Sequence, residues 1–208
     1  MKKLLLILLP LPIFGFGQNV NIPDAYFKYY LVGNTAINTN GDNEIQVSEA
    51  SAFNGKISCI HKNITNLTGI EAFTALTKLE CSYNQLKRLD VSKNSSLTDL
   101  SCAGNQLKRL DVSKNTSLTD LWCSDNQLKR LDVSKNTSLT ELGCYGNQLT
   151  SLDLSKNTAL TVLSCGGNQL KRLDVSKNTS LTALWCEGNK FDCAALISKY
   201  GIENPTGE

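Results

Sequence analysis

The chain has 208 residues, enough for one ordinary domain or one short repeat array, with 41% hydrophobic and 19% charged residues. Its 21 Lys+Arg and 19 Asp+Glu give a formal charge of +2, and setting Lys2 and Lys3 aside leaves 19 of each sign. Such a balance carries no signal of nucleic-acid binding, and no nucleic-acid partner is expected.

Lys2 and Lys3 precede an apolar run that reaches Gly15-Phe16-Gly17, a small-x-small pattern. This is the layout of an export signal over residues 1–17, with the mature chain starting near Gln18. The run is interrupted by Pro10 and Pro12 and is too short to span a bilayer. The expected location is secreted or cell-surface.

Residues 18–56 read as a helical cap. Ile22, Tyr26, Phe27, Tyr30 and Leu31 have helical spacing, and a second helix is expected from Val47 to Phe53. Between them the stretch NTNGDNEIQVSE aligns with an EF-hand calcium loop. Asn38, Asn40 and Asp42 fall at ligand positions 1, 3 and 5, the Glu44 carbonyl at 7 and Glu49 at 12. Asn38 stands where Asp is usual and Asn43 where Gly is usual. Full charge comes only from Asp42 and Glu49, so two readings stay open: a weak calcium site, or a cap that folds without metal.

Residues 57–190 are a repeat. From Leu79 the unit reads L-x-C-x-x-N-Q-L-K-R-L-D-V-S-K-N-T-S-L-T-x, with further good copies at Leu100, Leu121, Leu142 and Leu163. A divergent copy starts at Ile57 and a partial one at Leu184, which makes seven rungs of 21–22 residues. In L-x-C the apolar residues alternate, so each rung opens with a short strand whose Leu and Cys point inward. Asn84 and its equivalents 105, 126, 147, 168 and 189 are expected to satisfy backbone groups in the bend and in the next rung. The stretch from Asp90 to Ser96 should turn the chain back over the convex side. One rung buries too little apolar surface to offset the entropy of ordering it, so the rungs must stack.

Eight cysteines in an exported chain suggest disulfides, but Cys81, Cys102, Cys123, Cys144, Cys165 and Cys186 recur every 21 residues, with Cys59 22 before Cys81. Neighbouring parallel strands hold like side chains ~4.8 Å apart and pointing the same way, which suits a disulfide poorly. The ladder is therefore expected to be buried thiols. Cys193 is out of step and within reach of Cys186; the spacing leaves its pairing open.

These units resemble the bacterial leucine-rich repeats, and the 21-residue form with an inward Cys resembles the internalin J type, over about Ile57 to Tyr200. The resemblance implies an α/β repeat solenoid with one parallel β-sheet on the concave face, a small helical N-terminal cap, and binding on that face. Residues 191–208 are read as a C-terminal cap and tail: Phe191, Ala194, Ala195, Leu196 and Ile197 form a short amphipathic helix, followed by a frayed GIENPTGE.

The outward strand positions vary while the convex string does not. Trp122, Tyr145 and Trp185 are large aromatics at outward positions, and Asp99, Asp120 and Glu141 form an acidic column on consecutive rungs. Like charges ~4.8 Å apart repel, so a basic partner or the neighbouring Lys78 would relieve them. The convex Arg88 and Asp90 columns should neutralise each other. Catalysis finds no support: His61 has no adjacent acid or nucleophile motif, and no phosphate loop or zinc spacing occurs. The expected function is a binding module for a protein, or for a glycan; the alternative is a structural or assembly repeat with no ligand.

Overall fold

The computed structural model describes residues 17–204. The export-signal reading of residues 1–17 lies outside the described residues except at Gly17. Seven three-residue strands run parallel in one sheet in chain order. They are β1 (Lys56–Ser58), β2 (Lys78–Glu80), β3 (Asp99–Ser101), β4 (Asp120–Trp122), β5 (Glu141–Gly143), β6 (Val162–Ser164) and β7 (Ala183–Trp185). The register pairs Leu79 with Leu100, Leu100 with Leu121, and so on without a slip. A period of 21 residues, 22 at the first step, leaves each strand one register with each neighbour, so repetition dictates the sheet.

The inward leucines and ladder cysteines are buried in one core that runs the length of the solenoid. Two asparagine ladders stitch the rungs. Asn105 donates from Nδ2 to the carbonyls of Cys81 and Cys102, and its Oδ1 accepts the Leu86 N–H at 2.9 Å. The same set recurs at Asn126, Asn147 and Asn168. These amides bond their own bend, as expected, and reach back to the preceding rung, not forward to the next. The second ladder sits on the convex turn: Asn115 donates to the carbonyls of Val91 and Asn94, and Asn136, Asn157 and Asn178 repeat this. A buried amide with two acceptors satisfies carbonyls that a turn without regular structure would orphan.

The convex charges do not pair. Among the described residues no Arg–Asp ion pair joins the two columns. Each aspartate turns to its own backbone instead: Asp90 accepts from Ser92 N and Asp111 from Ser113 N, both at 2.9 Å. Those backbone bonds come first among the causes that hold Asp90 and Asp111 below the usual carboxylate range. An Asx turn needs no partner side chain to be ordered, which is why it prevails over a solvated ion pair.

Two helices form the N-terminal cap, α1 (Ala25–Val32) and α2 (Val47–Ala52). Phe27 and Leu31 are buried in the shared core, but Tyr26 is 60% exposed, contrary to its place in the apolar spacing. The Tyr30 hydroxyl accepts the Ser58 N–H at 2.9 Å and so covers the open edge of β1. At the other end α3 (Cys193–Tyr200) closes the last rung, and Cys193 is disulfide-bonded to Cys186. A helical Cys meets a strand-end Cys here, so the parallel-neighbour geometry that keeps the ladder reduced does not apply. The described part of the tail, residues 201–204, is held: Glu203 pairs parallel with Ala183 and continues the sheet edge. Among the described residues no helix is long and apolar enough to cross a membrane.

Candidate functional site

Strand alternation places Asp120 and Trp122 on the concave face with Leu121 between them in the core. Trp122 is half-buried, not fully open to solvent, because its ring lies over the next rung. A Cβ added at Gly143, its register partner, would collide with Cε3 of the indole. Tyr145 repeats the arrangement one rung on. It is 49% exposed, and its ring lies over Gly166 and Gly167, 3.1 Å from where a Gly166 Cβ would stand. Tyr83 covers Gly104 in the same way. Each aromatic therefore rests on a glycine floor one rung toward the C-terminus. Trp185 is half-buried on β7, in the column of Trp122 and three rungs away.

The acidic column is in register, Asp99 beside Asp120 and Asp120 beside Glu141. Its first member is neutralised, since Lys78 Nζ lies 2.9 Å from Asp99 Oδ1. Burial pushes the Asp99 carboxyl up, but the hydrogen bonds from Lys78 and Thr98 outweigh it and hold it below the usual range. Lys56 and Lys78 also pair with Glu80. Asp120 and Glu141 have no cation beside them among the described residues. Asp120 accepts only the Thr119 hydroxyl, at 2.6 Å. Two carboxylates with no cation in ion-pair contact thus flank Trp122 on adjacent strands, and Lys78 acts on Asp120 only at longer range.

A second column went unread as backbone chemistry. The residue two after each Cys has positive φ in every rung: His61 (54°), Tyr83 (55°), Gly104 (62°), Asp125 (51°), Gly146 (64°), Gly167 (60°) and Gly188 (68°). A left-handed conformation costs a non-glycine residue ~1–2 kcal/mol, so His61, Tyr83 and Asp125 are held there against strain. The sequence signal was the glycine recurring in four of the seven positions. His61 is exposed, yet its ring is not loose: it stacks on Tyr83 with centroids 4.5 Å apart and planes 6° from parallel.

The loop aligned with a calcium site is ordered by its own hydrogen bonds: Asn38 Oδ1 accepts Gly41 N, and Asp42 Oδ1 accepts Glu44 N at 2.7 Å. Asp42 Oδ2 takes amide hydrogens from Asn40 and Gln46, each at 3.0 Å. Glu49 receives Thr39 N at 2.7 Å, Thr39 Oγ1, Asn40 N and Gln46 N. Burial pushes Glu49 up, but these bonds hold it below the usual carboxylate range. Glu44 is drawn aside by Lys28. Hydrogen bonds from Asn40, Thr39 and Gln46 thus order the loop around Asp42 and Glu49.

No family model matches the chain. Internalin J of Listeria monocytogenes is 47% identical over 39 residues, which is 19% of this chain and 4% of that protein. The solved functional domain of InlJ from L. monocytogenes, which includes a cysteine ladder, is 33% identical; the match covers 85% of this chain and 45% of that one, with a TM-score of 0.62. The internalin InlF from the same species has the same fold, at a TM-score of 0.78 and 21% identity, covering 92% of this chain and 58% of that one. The chain thus spans about half the length of these solved domains. Strands in unbroken register, a buried thiol in six of the seven rungs and these likenesses give the chain the leucine-rich-repeat solenoid fold, with a cysteine ladder similar to that of the InlJ domain.

Proposed function

We propose that the protein is an exported binding module that holds a protein ligand on its concave face, centred on Trp122 and Tyr145, with Asp120 and Glu141 at the rim and Asp99 and Trp185 at the flanks. The observation that carries this reading is the meeting of two ring-on-glycine aromatics with two carboxylates that lack an ion-paired cation. Rings fixed against a neighbouring rung lose little entropy when covered, which is what makes aromatic anchors effective. Unneutralised carboxylates beside them favour a partner with basic and apolar groups. The likeness to internalins supports the class of module.

The test is capture from native surroundings with wild type and with a Trp122→Ala/Tyr145→Ala variant at equal loading, at low and high salt. A partner retained by wild type, weakened by salt and lost by the variant supports the site. Equal capture by both moves the site elsewhere. Capture by neither supports a purely structural repeat.

A further inference from the structure

A cleft between α1 and the first rung carries chemistry separate from the concave patch. It is an open cavity of ≈ 790 Å³, within the range of about 300–1,000 Å³ usual for small-ligand sites, lined by Tyr26, Tyr29, Tyr30, His61, Lys62 and Asn63 among others. Tyr29 is 83% exposed and Tyr26 60%, the two most exposed large hydrophobic side chains described. Tyr30 is pinned by its bond to Ser58, and His61 by its stack on Tyr83.

The first rung departs from the repeat at the residues that line this cleft. Where a later rung reads Gly104-Asn105-Gln106, the first reads His61-Lys62-Asn63. Lys62 stands in the place of a ladder asparagine, so the ladder ends at Asn84, whose Oδ1 accepts the Ile64 N–H as in every rung and the Lys62 N–H besides. His61 and Asn63 both take the left-handed conformation, with φ of 54° and 58°. Asn63 alone departs from the repeat in backbone, since every rung shares the positive φ of His61; His61, Lys62 and Asn63 are all exposed beside the three tyrosines.

We infer that this cleft binds an uncharged pyranose glycan, independently of what the concave face holds. A pyranose ring has an apolar C–H face and a rim of hydroxyls that both donate and accept. The tyrosine rings supply flat electron-rich faces for the first. For the second, the Asn63 amide offers a donor and an acceptor with no partner among the described residues, and Asn34, whose Oδ1 accepts from Ala36 N, keeps its amide hydrogens. Among the described residues no carboxylate lines the cleft and Lys62 is its one charged group, so a cationic ligand has no counter-charge there. A proline-rich segment also has flat apolar faces, but its backbone offers only acceptors and would leave the acceptors of the cleft unmet.

The full chain is titrated with neutral di- and trisaccharides of glucose, galactose, mannose and N-acetylglucosamine, and with a decaproline peptide, while tyrosine fluorescence and amide chemical shifts are followed. At least one neutral sugar is expected to bind with a Kd near 1 mM or tighter, with shifts at residues 26–35 and 61–63. Tyr29→Ala combined with Asn63→Gly, a change that also relaxes the backbone, lowers that affinity at least about tenfold with an unchanged melting temperature. Trp122→Ala/Tyr145→Ala leaves it unchanged. Absence of sugar binding at about 20 mM, binding of decaproline in its place, or equal loss in the concave-face variant overturns the assignment.

Discussion

The carboxylate of Asp24 accepts both the backbone N–H and the hydroxyl of Thr65 at 2.8 Å, across 41 residues of chain. Its other oxygen caps α1 through Tyr26 N and Phe27 N. One side chain therefore starts the cap helix and fastens it to the first rung. Burial pushes this carboxyl up, but the bonds from Thr65, Phe27 and Asn66 prevail and hold it below its ordinary value. A folded pKa below the unfolded one means the stabilisation is present above the ordinary Asp range, near 3.9, and is lost as pH falls through the lower folded value. Asp24→Ala is expected to cost about 2–3 kcal/mol, roughly 5–10 °C in melting temperature at neutral pH. Melts repeated toward about pH 3 should show the gap between variant and wild type closing. A gap constant with pH would show that the charge of Asp24 contributes nothing.

The ladder cysteines should behave as inert apolar groups. Burial pushes the Cys123 thiol up to about 12, and Cys81, Cys102 and Cys144 well above their ordinary value. Thiolate is the reactive form, so native protein should react slowly with a thiol reagent. After denaturation without reductant the six free cysteines react, and reductant releases the remaining pair. Finding three or more bridges by intact mass would contradict the ladder.

Cys193→Ser tests the closure of the other end. The bridge to Cys186 closes a short loop, and loss of such a loop costs about 2 kcal/mol in the chain-entropy account. Hydrogen exchange should accelerate in α3 and at residues 201–204, where Glu203 pairs with Ala183, and not in β2–β5. Acceleration spread evenly along the sheet would mean that the C-terminal cap sets the stability of the whole array.

Gly143→Ala probes the aromatic site without removing its aromatics. The new methyl needs the place of the Trp122 ring, so the indole must swing off its floor. The strand backbone of Gly143 requires no unusual φ, and the expected change in stability is within about 1 kcal/mol. Near-ultraviolet circular dichroism of Trp122 should change, and affinity for the captured partner should fall at least about tenfold. An unchanged affinity would separate the pose of Trp122 from binding.

Chelator should leave the cap intact. Asp42 and Glu49 are satisfied by hydrogen bonds from Asn40, Thr39 and Gln46, so calcium would have to displace them. Calorimetry is expected to show no heat of calcium binding and no change in melting temperature on chelation. Binding tighter than about 1 mM would restore the EF-hand reading.

Repetition made the solenoid legible without coordinates. Leu79, Cys81 and their 21-residue echoes determine strand, inward face, register and stacking, because an identical unit has one way to bury its face against a copy of itself. The outward columns of Trp122, Tyr145, Asp120 and Glu141 followed from the same alternation. Everything that breaks the period needed the tertiary structure. Whether Cys193 meets Cys186 depends on where α3 lands. That Trp122 lies on Gly143, and not out in solvent, depends on which way a ring leans between rungs. Whether Asp42 and Glu49 face a cation or the amides of their own loop depends on Gln46, a residue that the ligand pattern does not count. Periodicity fixes what each rung shares with its neighbours, whereas side-chain direction at the unique positions is set by contacts between residues that no spacing relates.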